Sequence, residues 1–344
     1  MSTSYTVQFG DTLQYIAQRF GTTLPRLIQM NNIYYPYLIY VGQRLDIPKE
    51  QNFQTVDDGV SDYQFAGNNH TTTYRYSAQT PSPMVQESVE KIIGKKGTAQ
   101  DGVLKFTFPR NDLKVSIGPV SVEPDLALTS WVAFNHLGNQ SMLMGDLVLL
   151  ESEVGPVMSS LLENGIQVTG LHNHLLFETP RIMYMHIKGE GNPVKIAEGV
   201  RNALSLTATP IQPHQQPPSR IDWSLIENIL GRKGTHKNNV LQFSFPRTTT
   251  IYEDGQPLSP AMGISHGINF QNLGDKVAAA GDLVLFAHEV NPVAAILKKN
   301  NIAVTAVHNH MLTETPRLFF MHFWAVDKPE HLAQAFKSVL NLAR

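Results

Sequence analysis

The sequence predicts an α+β protein built from a small N-terminal module and two homologous domains in tandem. Three observations support this prediction. Residues 4–48 have the pattern of a β-α-α-β unit, and residues 84–205 recur in related form as residues 221–344. Within each copy, strand and helix patterns interleave without the strict strand-helix alternation of a parallel sheet. The duplication also allows the two copies to pack as a pseudo-twofold pair.

The N-terminal module begins with an alternating strand over residues 5–9. Thr12 can cap a first helix, which Gly21 ends. A second helix has Pro25 in its first turn, where a missing backbone N–H is tolerated. A second strand over residues 43–47 closes the unit. Because a unit of about 45 residues buries little surface, its apolar positions must pack well for it to be stable.

The segment YTVQFGDTLQYIAQRFGTTLPRLIQMNN, with the closing VGQRLDIP, resembles a LysM domain over its whole length. The resemblance implies binding to polymers that contain N-acetylglucosamine, such as peptidoglycan or chitin. In that family the groove lies between the loop after the first strand and the loop before the last. The corresponding glycan-binding residues of this chain are Gly10, Asp11, Thr12, Leu13, Leu38, Ile39 and Tyr40. The alternative for Leu13 and Ile39 is a place in the core of the small domain.

The composition restricts the partners of the protein. Of its 344 residues 16% are charged, and the formal net charge is −2 at pH 7. That balance gives no basic field to hold a nucleic acid. No apolar run approaches about 18 residues, so no membrane span is predicted. Low charge is compatible with a neutral polymer ligand or with self-association. Because the chain has no cysteine, a metal site must use His, Asp or Glu.

The first residues, MSTSYTVQFGDTL, have neither the basic region nor the apolar core of a signal peptide. We therefore expect a protein that is made in the cytoplasm and is not exported by the general route. Together with a LysM-like module, this expectation fits deposition on a spore cortex or coat, or another association with the cell wall.

Two polar segments separate the predicted domains. Residues 49–83 are rich in Asn, Gln, Ser and Thr and show no sustained period, which favours a flexible or extended spacer. The segment TATPIQPHQQPPS contains four prolines and favours an extended connector. The predicted organisation is a LysM module at 1–48, a polar linker at 49–83, a first repeat at 84–205, a Pro-rich linker at 206–220 and a second repeat at 221–344.

Three pairs of motifs define the repeat. They are GKKG at 94–97 with GRKG at 231–234, FPR at 108–110 with FPR at 245–247, and GDLVLLESEVGPV at 145–157 with GDLVLFAHEVNPV at 281–293. In the first copy the pattern predicts helices near 85–93, 153–163 and 194–204, and strands near 103–108 and 147–150. Both copies resemble the LppY/LpqO family, a bacterial domain of unknown function that is often duplicated. The resemblance implies a fold and supplies no activity.

The last shared motif carries the chemistry, because VTGLHNHLLFETPRIMYMH at 168–186 recurs as VTAVHNHMLTETPRLFFMH at 304–322. On a strand, residues two apart point to one face, so the two histidines of H-N-H project together. A third histidine on the next strand and the glutamate in the turn can complete a Zn²⁺, Mn²⁺ or Fe²⁺ sphere. The candidate metal ligands are His172, His174, Glu178 and His186 in the first copy and His308, His310, Glu314 and His322 in the second.

Other repeated residues can support this site. Arg181 and Arg317 can bind a substrate anion or pair with the neighbouring glutamates. The repeated Gly-Asp at 145–146 and 281–282, and the repeated glutamate at 153 and 289, can orient the site or cap a helix. No nucleophile or separate base pair is evident, so the sequence assigns no catalytic residue.

Several functions remain open from the sequence. The His-Asn-His segment can instead form a buried polar network bonded to the backbone, with Glu-Arg pairs fixing the turn. Our first interpretation is a glycan-binding protein of the envelope or spore whose duplicated domains form a ligand or metal site or a scaffold. The second is a metal-dependent hydrolase or lyase held on the cell wall by its LysM module. The third is a sensor of metal or small ligands without turnover.

Overall fold

The computed structural model describes residues 3–8, 13–22, 24–31, 33, 39, 41–47, 83–137, 140–212 and 221–343. The LysM-like module and the pair of repeats form separate compact units. The elements of the module are β1 (Thr3–Thr6), α1 (Leu13–Arg19), α2 (Leu24–Met30) and β2 (Arg44–Ile47). Strands β1 and β2 pair antiparallel, and the helices bury Ile16 and Leu27 against Leu45. Residues 49–82 of the predicted spacer lie outside the described residues, and its last residue, Pro83, begins a helix.

The first repeat contains four helices and nine strands in the part that the structure describes. Its helices are α3 (Pro83–Ile93), α4 (Pro124–Ala127), α5 (Glu151–Glu163) and α6 (Pro193–Leu204). Its strands are β3 (Thr98–Gln100), β4 (Val103–Pro109), β5 (Val115–Ile117), β6 (Val120–Val122), β7 (Thr129–Leu137), β8 (Gln140–Leu150), β9 (Gln167–His172), β10 (Glu178–Thr179) and β11 (Ile182–Gly191). Six of the strands form an antiparallel sheet in the order β3-β4-β7-β8-β11-β9.

The second repeat builds the same sheet. Its helices are α7 (Ser224–Leu230), α8 (Ala287–Lys299) and α9 (Pro329–Leu342), with a 3₁₀ turn at Pro260–Met262. Its strands are β12 (Thr235–Lys237), β13 (Val240–Pro246), β14 (Tyr252–Glu253), β15 (Gln256–Pro257), β16 (Ser265–Asn272), β17 (Val277–Leu285), β18 (Ala303–His308) and β19 (Phe319–Asp327). The sheet order is β12-β13-β16-β17-β19-β18, which corresponds strand by strand to the first repeat.

Each sheet is covered on both faces. In the first repeat, Val89 of α3, Leu161 of α5 and Val200 of α6 pack on one face. On the other face, the two repeats share apolar clusters, one of which joins Met144 of β8 to Phe320 of β19. Because both faces are covered, β8 is buried continuously from residue 141 to residue 149 and does not show the alternation of a half-exposed strand. The two repeats are therefore one body, with the sheets inside and the main helices outside.

The FPR motifs hold the ends of strands together inside each repeat. Arg110 is completely buried and donates to the carbonyl oxygen of Val148 at 2.6 Å. The same guanidinium donates to the carboxylates of Glu153 and Asp112. Glu153 also accepts the backbone N–H of Leu150 at 2.8 Å, which caps α5. The buried arginine thus connects the ends of β4 and β8 to the start of the following helix, and Arg247 and Glu289 repeat this contact in the second copy.

The α+β prediction is confirmed. The strand predicted near 147–150 is the end of the longer strand β8, and β7, which lies beside β8 at the centre of the sheet, was not predicted. The predicted H-N-H strands are shorter than expected, since β9 ends at His172 and β18 ends at His308. In the part of the chain that the structure covers, no helix is both long and apolar enough to cross a membrane.

Candidate metal centre

The H-N-H segments of the two repeats meet where β9 and β18 approach each other. The hydroxyl of Thr169 on β9 donates to the carbonyl oxygen of His310 at 2.6 Å. The equivalent Thr305 on β18 donates to the carbonyl oxygen of His174 at 2.5 Å. Asn173 adds a hydrogen bond to the carbonyl oxygen of Thr305 at 3.1 Å. These reciprocal bonds fix the segment of one repeat against that of the other, as a pseudo-twofold arrangement requires.

Packing against the neighbouring strand sets the orientation of the second histidine in each segment. The ring of His174 stacks on Tyr184 with centroids 3.4 Å apart, and the ring of His310 stacks on Phe320 at the same distance. The hydroxyl of Tyr184 in turn donates to the carbonyl oxygen of Ala127 at 3.0 Å. Each ring therefore has a defined position before any ligand binds.

The third histidine of each repeat lies inside the sheet, opposite an aspartate. In the strand register His186 pairs with Asp146, and His322 pairs with Asp282. Nδ1 of His322 lies 2.9 Å from the carbonyl oxygen of Gly281, to which it can donate. This hydrogen bond selects the tautomer in which Nε2 is an acceptor and can bind a metal.

The six histidines converge in pairs that cross between the repeats. Ring centroids are 3.5 Å apart for His172 and His308, 3.6 Å for His174 and His322, and 3.7 Å for His186 and His310. Within the first repeat, Nε2 of His172 lies 2.8 Å from Nε2 of His186. The centre is consequently composite, because each repeat contributes three of the six imidazoles.

Two aspartates complete the centre. Oδ2 of Asp146 lies 3.5 Å from Nε2 of His174, and Oδ2 of Asp282 lies 3.0 Å from Nε2 of His310. Both aspartates recur in the sequence, but neither was among the predicted ligands. Their place follows from the strand register, because β8 and β11 pair so that Asp146 is opposite His186, and this pairing has no local signal in the sequence.

Several buried polar atoms of the centre lack a hydrogen bond to any residue that the structure describes. They are Nε2 of His174, His310 and His322, both ring nitrogens of His308, and Oδ1 of Asp146 and Asp282. Burying such atoms without partners costs about 1–3 kcal/mol each. These atoms are therefore available to bind a ligand.

Burial and mutual proximity shift the pKa values of the centre. Burial lowers the pKa of His172 to about 4, and burial with the neighbouring histidines lowers the pKa values of His174, His186, His308 and His310. Burial, followed by the charge of Asp282, raises the pKa of Asp146 to about 8. Burial raises the pKa of Asp282 to about 6. The imidazoles are thus neutral at pH 7, which is the form that binds metals.

Four groups of donors lie close enough to share a metal ion, each with ligand atoms within 4.8 Å of one another. They are His172 with His174 and His322; His172 with His186 and His308; His308 with His310 and His322; and Asp146 with His174 and His186. All six histidines that the sequence proposed as ligands occur in these groups. Imidazole nitrogens with a carboxylate suit Zn²⁺, Mn²⁺ or Fe²⁺.

The two glutamates proposed as ligands lie outside all four groups. Glu178 accepts the backbone N–H of Ile182 at 3.3 Å, and Glu314 accepts the backbone N–H of Leu318 at 2.9 Å. Arg317 pairs with Glu314 at 3.2 Å, whereas Arg181 is exposed. The structure corrects this part of the interpretation: the glutamates hold the turn after the H-N-H segment, and the carboxylates beside the histidines come from Asp146 and Asp282.

The proposed glycan-binding residues are only partly covered by the structure. Gly10, Asp11, Thr12, Leu38 and Tyr40 lie outside the described residues. Leu13 is buried in the core of the module, and Ile39 packs against that core. Both residues therefore belong to the core of the small domain, which was the alternative to contact with a glycan.

Cavities lie on two sides of the centre. One of about 740 Å³ is lined by Asp146, His174, Asp282 and His310, together with other residues that include Lys105. Burial lowers the pKa of Lys105 to about 8, and its ammonium lies over the ring of Trp131 at 4.2 Å. A second cavity of about 350 Å³ is lined by residues that include His172, His308 and Arg317. Ligands can therefore approach the histidines from either side.

Models of known protein families match three parts of the chain. The family model described as Domain of Unknown Function (DUF1259) matches residues 87–206 and 224–342, and the LysM domain model matches residues 5–48. Curated relatives include the N-acetylmuramoyl-L-alanine amidase sle1 of two strains of Staphylococcus epidermidis. Each is 29% identical over 123 residues, which is 34% of this chain and 34% of the amidase. The chain thus spans about a third of the length of these relatives.

Similar solved structures include a trimeric bacterial microcompartment shell protein, PduB, and EtuB from Clostridium kluyveri. Both are 9% identical to this chain and have a TM-score of 0.17. The matches cover 70% and 72% of this chain and 87% and 88% of those chains. At this TM-score the likeness supports no conclusion about function.

Proposed function

The chain belongs to the family described as Domain of Unknown Function (DUF1259), and from this premise we propose that it is a cell-wall glycan-binding protein whose two repeats jointly bind a divalent transition metal. The observation that supports the metal most strongly is the convergence of six imidazoles and two aspartates in one cluster, in which several buried ring nitrogens make no hydrogen bond to a described residue. A purely structural network would satisfy those atoms with protein donors and acceptors.

Zinc is the metal that we propose first. The donors are imidazole nitrogens and carboxylate oxygens, and the chain has no thiolate to offer. Zn²⁺ accepts this donor set in tetrahedral sites, and its affinity exceeds that of Mn²⁺ and Fe²⁺ for most such sites. When bound, such an ion can polarise a carbonyl or lower the pKa of a water molecule. The residues of this chain would hold the ion.

Metal content tests the proposal. Protein dialysed against Zn²⁺ and then freed of excess ion is expected to retain stoichiometric zinc by elemental analysis. The double variant His172→Ala/His308→Ala removes one imidazole from each repeat and is expected to retain much less. His288→Ser is the matched control, because His288 is exposed and the first repeat has Ser152 at this position. Zinc-free wild-type protein under these conditions would rule out the metal centre.

The glycan part of the proposal is supported by the LysM domain and by the likeness to enzymes named N-acetylmuramoyl-L-alanine amidases. Such a module would hold the metal centre at the cell wall of a vegetative cell or of a spore. A single module of this size binds weakly, so avidity from several chains is expected to matter. The glycan-contact residues proposed from the sequence remain a proposal.

Co-sedimentation with purified peptidoglycan tests this part. The full chain is expected to sediment with the insoluble polymer, and a chain without residues 1–48 is expected to remain largely in the supernatant. The two proteins are compared in thermal unfolding, to establish that the repeats remain folded after the deletion. Equal sedimentation of both would show that the LysM module is not the anchor.

A metal-dependent hydrolase or lyase is the second candidate. The cavity of about 740 Å³ favours it, because this cavity brings open space to Asp146, His174, Asp282 and His310 and has Lys105 in its wall. A cation near a metal centre can bind an anionic substrate or stabilise negative charge that develops in a reaction. Release of soluble fragments from peptidoglycan that requires zinc and stops with a chelator would distinguish an enzyme from a binding protein.

A further inference from the structure

We infer that the centre binds two metal ions, one for each repeat, and this inference rests on the proposed metal-binding function. The first reason is the number of donors. Six imidazoles and two carboxylates meet between the repeats, whereas a tetrahedral zinc ion takes only four ligands. One ion would leave about half of the donors buried without a partner. Each buried polar atom without a partner costs free energy, and a second ion would remove that cost.

The second reason is that two of the four donor groups share no residue. Asp146, His174 and His186 form one group, and all three belong to the first repeat. His308, His310 and His322 form the other, and all three belong to the second. Because each repeat supplies a complete triad, one ion can bind to each triad without competing for a ligand.

The third reason is that each triad has a fourth donor beside it. Nε2 of His172 lies 2.8 Å from Nε2 of His186 and completes the first set. Oδ2 of Asp282 lies 3.0 Å from Nε2 of His310 and completes the second. Ligands of a tetrahedral zinc ion, at bond lengths of about 2.0–2.1 Å, lie about 3.3 Å apart. These two separations are close to that value, and side-chain movements would bring the fourth donor within reach of the other members of each triad.

Backbone carbonyl groups orient the rings for this role. Nδ1 of His172 lies 3.1 Å from the carbonyl oxygen of Asn173, and Nδ1 of His322 lies 2.9 Å from that of Gly281. The backbone of Gly263 makes an equivalent contact to His310. When Nδ1 donates to a carbonyl, Nε2 presents its lone pair to the metal, which is the usual arrangement around metal-binding histidines.

The alternative is a single ion between the repeats. The other two groups cross the interface, since His172 occurs with His322 in one and with His308 in the other. Such an ion would depend on both repeats at once. The two arrangements therefore predict different stoichiometries and different responses to variants that change only one repeat.

Ion counting by native mass spectrometry tests the inference, with Zn²⁺ and Co²⁺ as probes on the full chain. The wild-type protein is expected to bind two ions. His174→Ala/His186→Ala and His310→Ala/His322→Ala are each expected to bind one, and circular dichroism establishes that each variant is folded. One ion in the wild type, lost in both variants, would overturn the two-ion centre and leave the metal-binding proposal intact. Zinc-free and cobalt-free wild-type protein would overturn both.

Discussion

Replacing His308 by leucine is expected to stabilise the metal-free protein and to remove the stabilisation that zinc gives through the donors of the second repeat. Both ring nitrogens of His308 are buried without a hydrogen bond to any described residue, which costs about 1–3 kcal/mol in the absence of metal. Leucine fills similar space against the neighbouring rings and has no polar atom to satisfy. The free energy of unfolding of the metal-free variant should therefore rise by about 1 kcal/mol or more.

Zinc should stabilise the wild type more than it stabilises the leucine variant. An ion that binds only the folded state adds about 4 kcal/mol when its free concentration is 1,000 times the Kd. The leucine variant lacks one ligand of the second triad, so the gain from the ion at that triad largely disappears, whereas the triad of the first repeat keeps its ligands. Thermal unfolding measures the stability of both proteins, once with a chelator and once with added zinc. The order of stability should reverse between the two conditions.

His288→Ser is again the control, because His288 is exposed. It should change the free energy of unfolding by no more than about 0.5 kcal/mol, both with the chelator and with zinc. If leucine at position 308 instead destabilises the metal-free protein by several kcal/mol, the histidines form a structural network. That outcome would favour the buried polar network that the sequence left open.

The sequence predicted the parts of this centre that depend on local pattern. Two histidines separated by one residue project together where the chain is extended. His172 and His174 do share a donor group, although β9 ends at His172 and His174 lies beyond the strand. The third histidine also follows from the strand pattern, because β11 returns antiparallel beside β9. The duplication made the assignment firmer, since an accidental H-N-H would not recur with the same following motif.

The parts that depend on long-range pairing could not be predicted in this way. Asp146 is 40 residues from His186 in the chain and becomes its neighbour only through the register of β8 with β11. The hydrogen bond from Thr169 to the carbonyl of His310 spans the two repeats and has no local signal. Glu178 was misplaced for a similar reason: its spacing fits a metal ligand, but the turn uses its carboxylate to bind the backbone N–H of Ile182.

Glu153→Ala is expected to destabilise the protein by about 3 kcal/mol, through the buried arginine of the first FPR motif. Arg110 is completely buried, and Glu153 accepts hydrogen bonds from both of its terminal nitrogens at 2.9 and 3.1 Å. Removing this carboxylate leaves a buried cation with less compensation and also removes the cap at Leu150. Because Asp112 still pairs with Arg110, the loss of stability should stay below about 5 kcal/mol, the upper end of the usual range for breaking a buried ion pair.

Urea unfolding followed by circular dichroism measures this loss, with metal removed by a chelator so that the metal centre does not contribute. Glu151→Ala is the matched control, since Glu151 is an exposed carboxylate in the same first turn of α5 and should cost about 0.5 kcal/mol or less. A loss below about 1 kcal/mol for Glu153→Ala would mean that Asp112 and the carbonyl of Val148 alone satisfy the arginine. In that case both repeats would contain the FPR motif because it forms the end of a strand, and not because of the ion pair that it buries.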